Sequence, residues 1–508
     1  MILHAVESEM SENSSLESVC IVCGTKATQK CTGCYSVTYC GKQHQVEDWK
    51  KGHKNSCKCY EIQLSDQLGR YCVATRNIKK GQIILKEKPT LIGPKTVTPA
   101  ICLSCHKYLS PPPGQDNFNF CSQCNWPMCN FVCENEPIHQ TECKIFAEKK
   151  FIPNINFTSQ GKTESNYCSI MALRLLLMKE KQPEIYDKIM TLESHLDQRR
   201  NTQLYQILGM NIPVCLRGLL GNNKINRELA LTISGIFDTN CFDVKIPSGK
   251  INARGIYYKA AMFSHDCHPN ARHLFRENTE LILFATTDIK KGDIISLSYT
   301  QPLKGTLERR THLKDAKCFE CMCQRCTDPT EFGLYMSSII CPKCNENAKL
   351  IPIDVTDIES DFKCESCDAV FDLNDVKETK KIVLDAIKLA NKTSPNDFET
   401  ILETYKDIQP PNASIFLEIK YALLQLYGNP NDLSEEHLQR KIDICMELLE
   451  ISKKLDPDYG ALRTTLLKEL HGCLTVLFNL KSQDETNKYK ELYEEAIQIK
   501  QFEENLLK

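Results

Sequence analysis

The sequence predicts an α+β fold in which a zinc-stabilised, β-rich core is interrupted by a helical insertion and followed by an all-α C-terminal region. Three observations predict it. Of 29 cysteines in 508 residues, 27 lie before residue 368, most of them in pairs two residues apart. The segments LGRYCVATRNIKKGQIILKEKPTLI and LILFATTDIKKGDIISLSY share a β-rich plan broken by nearly identical turns, NIKKG and DIKKG. From Asp375 onward only Cys445 and Cys473 remain, and amphipathic segments follow one another at short intervals.

The composition narrows the class. Hydrophobic residues make up 42%, Pro and Gly are unremarkable at 22 and 21, and 63 basic residues nearly balance 65 acidic ones for a net charge of -2. Disordered and collagenous chains recede. No apolar run reaches the ~20 residues of a membrane span, and the start MILHAVESEMSENSSLES lacks a basic n-region before an apolar stretch. An intracellular chain is expected, in the nucleus, the cytoplasm or both, with no membrane attachment. In a reducing compartment, closely spaced cysteines are thiolates holding metal rather than disulfides. A near-zero net charge disfavours direct nucleic-acid binding.

The first cluster reads Cys20-x2-Cys23, Cys31-x2-Cys34, Cys40-x3-His44, His53-x3-Cys57, eight ligands in four pairs. A two-residue gap lets two thiolates converge on one tetrahedral ion at ~2.3 Å, and eight ligands suffice for two closed sites. The order, with YCGKQHQVEDWKKGH, resembles a MYND finger. The resemblance implies that the first and third pairs share one ion and the second and fourth the other. It also implies recognition of proline-containing peptides in partner proteins, for which Trp49 is a candidate contact, with a core position as the alternative.

A second cluster repeats the layout: Cys102-x2-Cys105, Cys121-x2-Cys124, Cys129-x3-Cys133, His139-x3-Cys143, with Pro-Pro-Pro-Gly at 111–114 as a rigid loop. It is similar to a degenerate MYND duplicate, with scaffolding as its expected role. Further on, CPKC at 341–344 and CESC at 364–367 pair as a zinc ribbon through Cys341, Cys344, Cys364 and Cys367. The tight run Cys321-x-Cys323-x2-Cys326 needs a fourth ligand from elsewhere.

Between the clusters, residues 165–236 carry apolar positions at helical spacing, and INARGIYYKAAMFSHDCHPNARHLF returns to extended structure. SHDCHPN at 264–270, GDIISLSY at 292–299 and CFECMCQRC at 318–326 resemble the NHSCxPN, GEEIxxxY and post-SET motifs of SET and MYND domain (SMYD-type) proteins of the arthropod kind with extra zinc clusters. The resemblance covers essentially the whole chain. It implies that Cys267 completes the site of Cys321, Cys323 and Cys326, leaving Cys318 unligated. The ligands then number 21 Cys and 3 His, for about six zinc ions. The eight remaining cysteines are expected to be small buried hydrophobes.

The same resemblance implies an S-adenosylmethionine-dependent protein-lysine N-methyltransferase acting on histone or non-histone proteins. Tyr299 matches the catalytic tyrosine. Arg70 in the cofactor turn, Asn240, Ser264, His265 and Phe319 match cofactor-binding positions, with Phe319 stacking on adenine and His265 contributing mainly backbone. Three positions depart from the pattern: Tyr71 replaces a glycine, Ser264 an asparagine, and Lys317 a second channel tyrosine. A glycine lost from a ligand turn restricts backbone approach, and a cation at 317 repels a lysinium. A non-catalytic zinc scaffold serving as a transcriptional co-regulator is the alternative.

The expected organisation is a disordered tail at 1–19, the MYND finger at 20–57, an N-terminal SET part at 60–100, the second cluster at 102–143, the helical insertion at 160–236, the SET core at 237–300, the post-SET motif at 301–330, the ribbon at 338–372 and a tetratricopeptide-like domain at 375–508. That last stretch holds 18 basic against 24 acidic residues, which disfavours phosphate binding. A monomer is expected.

Overall fold

The computed structural model describes residues 19–32, 37–54, 57–110, 118–155, 165–223, 225–344, 347–428, 434–480 and 487–508. The tail at 1–18, Cys34 and the proline loop at 111–114 lie outside them. The molecule is α+β, as its sequence predicts: short sheets are packed against inserted helices, and a helical region follows.

Three small sheets form the core. Tyr60–Ser65 and Gly69–Ala74 make an antiparallel hairpin, with Gly69 at φ 63, where a side chain would be strained. Ile294–Leu297 pairs antiparallel with Gly69–Ala74, and Ser264–His265 joins it in parallel. The second sheet runs Ala271–Phe275, Leu281–Ala285, Ile83–Glu87; the third runs Leu91–Pro94, Ala253–Ile256, Cys241–Val244. Leu281–Ala285 is buried at every position, which is why LILFA is continuously apolar rather than alternating.

The repeated turns are physically joined. Ile78 and Ile289 exchange backbone hydrogen bonds of 2.8 Å in each direction. Asp288 accepts the Lys80 N–H, and Asn77 accepts the Lys291 N–H, so each turn satisfies the other's exposed donors.

The insertion forms helices at Tyr167–Lys181, Pro183–Met190, Leu196–Arg199, Gln203–Leu220 and Arg227–Asn240. Its last helix runs through Asn240, so its C-terminal end falls beside the strand Cys241–Val244. The insertion shares one core with the three sheets and with the second cysteine cluster.

The C-terminal region is helical: Leu373–Leu389, Pro395–Thr404, Ser414–Leu426, Glu435–Leu455, Ala461–Leu480 and Lys490–Leu507. Asp372, Ser394 and Ser434 cap three of these helices by accepting backbone N–H groups. The final helix docks on the second sheet, with Phe502 and Leu506 packed on Ile282 and Phe284, while Glu503 bonds Arg272 and Lys468. Gly81 lies under this contact at φ 78, and a Cβ there would stand 3.1 Å from both the Phe502 and Tyr459 rings. Gly81→Ala is therefore expected to cost about 1–3 kcal/mol. A thermal scan, with proteolysis of the final helix as a second readout, checks it.

Among the described residues, no helix is long and apolar enough to cross a membrane.

Candidate metal centres and transfer site

Five Cys/His groups bring their ligand atoms together: Cys20, Cys23, Cys40 and His44; Cys102, Cys105, Cys129 and Cys133; Cys121, Cys124, His139 and Cys143; Cys267, Cys321, Cys323 and Cys326; and Cys341, Cys344, Cys364 and Cys367. Within each group the atoms lie within 4.8 Å of one another, and thiolate and imidazole sets of four suit tetrahedral zinc. For a sixth centre, Cys31 stands 3.4 Å from Cys57 and 3.2 Å from His53 Nε2; the fourth expected ligand, Cys34, is outside the described residues. The second cluster is interleaved, first pair with third and second with fourth, and in the first cluster the first pair joins the third while Cys31 joins His53 and Cys57, which locks the long loops between pairs.

The second finger is wired into the core. His139 turns Nε2 toward Cys124 and leaves Nδ1 3.8 Å from Glu142. Glu142, only 1% exposed, accepts two bonds from Arg174 at 2.7 and 2.8 Å. Arg174 also donates to Ile92 O and Leu103 O, so one buried side chain ties the finger to the third sheet. Burial works to raise the Glu142 carboxyl, but the adjacent Arg174 overcomes it and holds the group ionised.

Trp49 opens a π-helical turn, Trp49–His53, and is 44% exposed with its ring edge-on to His53. It is a surface residue of the first finger, not a core residue.

Cys267 joins the strand Ser264–His265 to the helix Gln324–Thr327, standing 3.5 Å from Cys326 and 4.0 Å from Cys321. Cys318 stays out of this group; it ends the helix Thr306–Lys317 in a left-handed conformation at φ 59. His265 connects the centre to Tyr299. Its Nδ1 accepts the Tyr299 N–H at 3.0 Å, which places the ring proton on Nε2, 3.2 Å from Cys267 Sγ. A ligand thiolate so bonded fixes the imidazole, and the imidazole fixes the tyrosine.

The Tyr299 hydroxyl donates to Phe263 O at 2.6 Å, leaving its lone pairs to accept. Burial pushes the phenol above its ordinary range, so it stays neutral. The His265 ring lies 5.2 Å from that of Tyr299 and 5.9 Å from that of Phe319. Phe319 is partly buried beside the zinc ligands.

Asn240 donates to Glu193 O and Ile236 O, each at 2.8 Å, which commits both amide hydrogens and leaves its oxygen for a ligand. Glu193 accepts the Ser194 and His195 N–H groups. The His195 N–H first, then His195, Ser194 and Arg70, hold the Glu193 carboxyl below its usual range. Arg70 adds to this field from the strand Gly69–Ala74. Tyr71 points the other way, its hydroxyl 3.0 Å from Gln63 on the paired strand. The bulky side chain that replaces a glycine is therefore turned away from Arg70.

Lys317 donates to Asp238 O at 2.8 Å and Thr239 O at 2.9 Å, at the C-terminal end of the helix Arg227–Asn240, and sits 5.8 Å over the Tyr299 ring. Burial holds this lysine below its usual range. Arg199 braces the same corner, bonding Ala316 O at 2.8 Å and Thr239 Oγ1 at 3.3 Å. Glu193, His195, Arg199 and Asp238 were not foreseen from sequence; they lie in a helical insertion whose spacing signals packing only. Ser264 faces Ser296 across the parallel pair.

Among the remaining cysteines, Cys59, Cys72, Cys168, Cys445 and Cys473 are buried, and Cys215 and Cys241 half-buried, in line with a packing role.

Residues 20–57 match the MYND finger family and residues 69–300 match the SET domain family. The SET domain-containing protein SmydA-8, isoform A, of Drosophila melanogaster is 29% identical over 317 residues, 61% of this chain and 65% of that protein. The histone-lysine N-methyltransferase ASHR1 of Arabidopsis thaliana is 25% identical over 389 residues, 72% of this chain and 76% of its own. The human histone-lysine N-methyltransferase SMYD3 is 38% identical over 72 residues, 14% of this chain and 17% of its own. The chain spans just under two thirds of the length of the first of these relatives.

Proposed function

We propose that this chain, which belongs to the SET and MYND domain-containing proteins, is an S-adenosylmethionine-dependent protein-lysine N-methyltransferase. The observation that carries the reading is the convergence of Tyr299, His265 and Phe319 beside Cys267, with Lys317 bridging the Tyr299 ring to the backbone next to Asn240. The residues fit such a cofactor. Phe319 offers a ring for a purine, the free Asn240 oxygen an acceptor for an amino group, and Arg70 a cation for a carboxylate.

When bound, the cofactor supplies an electrophilic methyl group on a sulfonium. The acceptor lysine, with an ordinary pKa near 10.4, must shed its proton to attack. Tyr299 is not the base that takes it, because burial keeps its phenol neutral. Its role is to accept an N–H of the amine and hold the lone pair in line. His265 fixes the position of Tyr299, and the buried surroundings exclude water. Zinc holds the frame in about six tetrahedral centres.

Partner binding belongs to the first finger, whose exposed Trp49 offers an aromatic surface to proline-containing peptides. We place the protein inside the cell, as a monomer, with the C-terminal helices as a tetratricopeptide-like protein-binding region. A second reading, a SET-fold zinc scaffold acting as a transcriptional co-regulator, is favoured by Lys317 occupying the wall of the Tyr299 site. Transfer of labelled methyl from S-adenosylmethionine to a histone and cytosolic protein mixture separates the two. Tyr299→Phe should lower transfer by about 100-fold or more with cofactor binding kept. Absence of transfer by the wild-type, fully metallated protein favours the scaffold.

A further inference from the structure

Lys317 differs from the other lysines near this site. Its neighbour Lys314 pairs with Glu320, whereas among the described residues no carboxylate forms an ion pair with Lys317. The carboxylate of Asp238, whose main-chain oxygen Lys317 bonds, is engaged by Arg254 at 3.1 Å and by the Tyr205 hydroxyl at 2.7 Å. What holds Lys317 is two main-chain carbonyls at a helix C-terminus, where the helix dipole favours a cation, and the face of the Tyr299 ring. Arg199 fixes the adjoining backbone at Ala316 and the side chain of Thr239, so the clamp is rigid. Burial works against the charge, while the two carbonyls and the helix end favour it and hold the ammonium in one place, facing the residue on which transfer would centre.

We propose that Lys317 is a specificity-determining residue that sets the charge preference of this site. Its clamped ammonium disfavours a second positive charge there, so neutral S-adenosylhomocysteine binds more tightly than sulfonium-bearing S-adenosylmethionine. The inference rests on the methyltransferase reading above. Two unit charges roughly 12 Å apart at an effective dielectric of about 20 shift a binding ratio by about tenfold. Lys317 Nζ lies 5.8 Å from the Tyr299 ring centroid, well inside that scale.

The test is calorimetric titration of both compounds into zinc-replete wild-type protein and into Lys317→Met, Lys317→Gln and Lys317→Arg, with zinc content and melting temperature measured on each. Lys317→Gln keeps a donor to the two carbonyls and guards against a folding defect in Lys317→Met. Wild type and Lys317→Arg are expected to prefer S-adenosylhomocysteine about tenfold, and the two neutral variants to bring the ratio within about twofold of parity by tightening S-adenosylmethionine. An unchanged ratio in the folded neutral variants overturns the inference while the methyltransferase reading stands. Failure of every form to bind either compound overturns both.

Discussion

Cys267→Ser is expected to lose one zinc equivalent, lower the melting temperature by about 10 °C, and reduce methyl transfer by more than 100-fold. Structural zinc centres supply folding free energy directly, and a hydroxyl is a poor replacement for a thiolate at zinc. The effect reaches the reaction centre because of connectivity. Cys267 joins the strand Ser264–His265 to the helix Gln324–Thr327, and it anchors the His265 imidazole, which in turn holds the Tyr299 N–H. Without the thiolate, His265 loses one of its two tethers, and Tyr299 loses the firm hold on its backbone N–H and keeps the hydroxyl bond to Phe263 O. A control at Cys318, outside the ligand group, should leave zinc content unchanged. Metal analysis and a thermal scan check the first two effects. Retention of all zinc by a folded Cys267→Ser protein would mean that the ligand assignment is wrong.

Glu142→Gln is expected to destabilise the protein by about 3–5 kcal/mol, because it leaves the Arg174 guanidinium, 7% exposed, without its counter-charge. The same change neutralises the carboxylate 3.8 Å from His139 Nδ1, and the lost charge beside this ligand should weaken zinc at that centre. Replacing Arg174 and Glu142 together by apolar residues should cost less than either single change, since no buried charge is then uncompensated. Denaturant unfolding and competitive chelation measure the two effects. Equal costs for the single and double replacements would contradict this account of the pair.

The metal centres were legible in the sequence because tetrahedral coordination constrains spacing locally. Two-residue and three-residue gaps mark ligand pairs without any knowledge of the fold. Cys267 was different. It stands 54 residues from Cys321, and only the SHDCHPN resemblance connected it to CFECMCQRC. The turns NIKKG and DIKKG were recognisable as a repeat, but their mutual bonding through Ile78 and Ile289 is a tertiary fact.

Arg174 lies inside IMALRLLLMKE, which reads as an apolar helical stripe; its bonds to Glu142, 32 residues earlier, give the charge a reason that periodicity does not carry. Lys317 was readable as a departure, but its partners at Asp238 and Thr239 lie 79 and 78 residues away. Tyr71 was expected to crowd the cofactor turn. Strand alternation places it beside Gln63, on the face opposite Cys72, and the period-2 pattern of YCVA already held that information.

The central claim is that the corner formed by Tyr299, His265 and Phe319, joined through Lys317 to the helix end at Asn240, is a cofactor site. A crystal structure of the zinc-replete protein with S-adenosylhomocysteine tests it most directly. The expected result is the ligand bound there, its purine against Phe319 and its amino group on the Asn240 oxygen. Crystals grown at saturating ligand that show this corner closed, with the Lys317 side chain still over Tyr299 and no ligand bound, would contradict it.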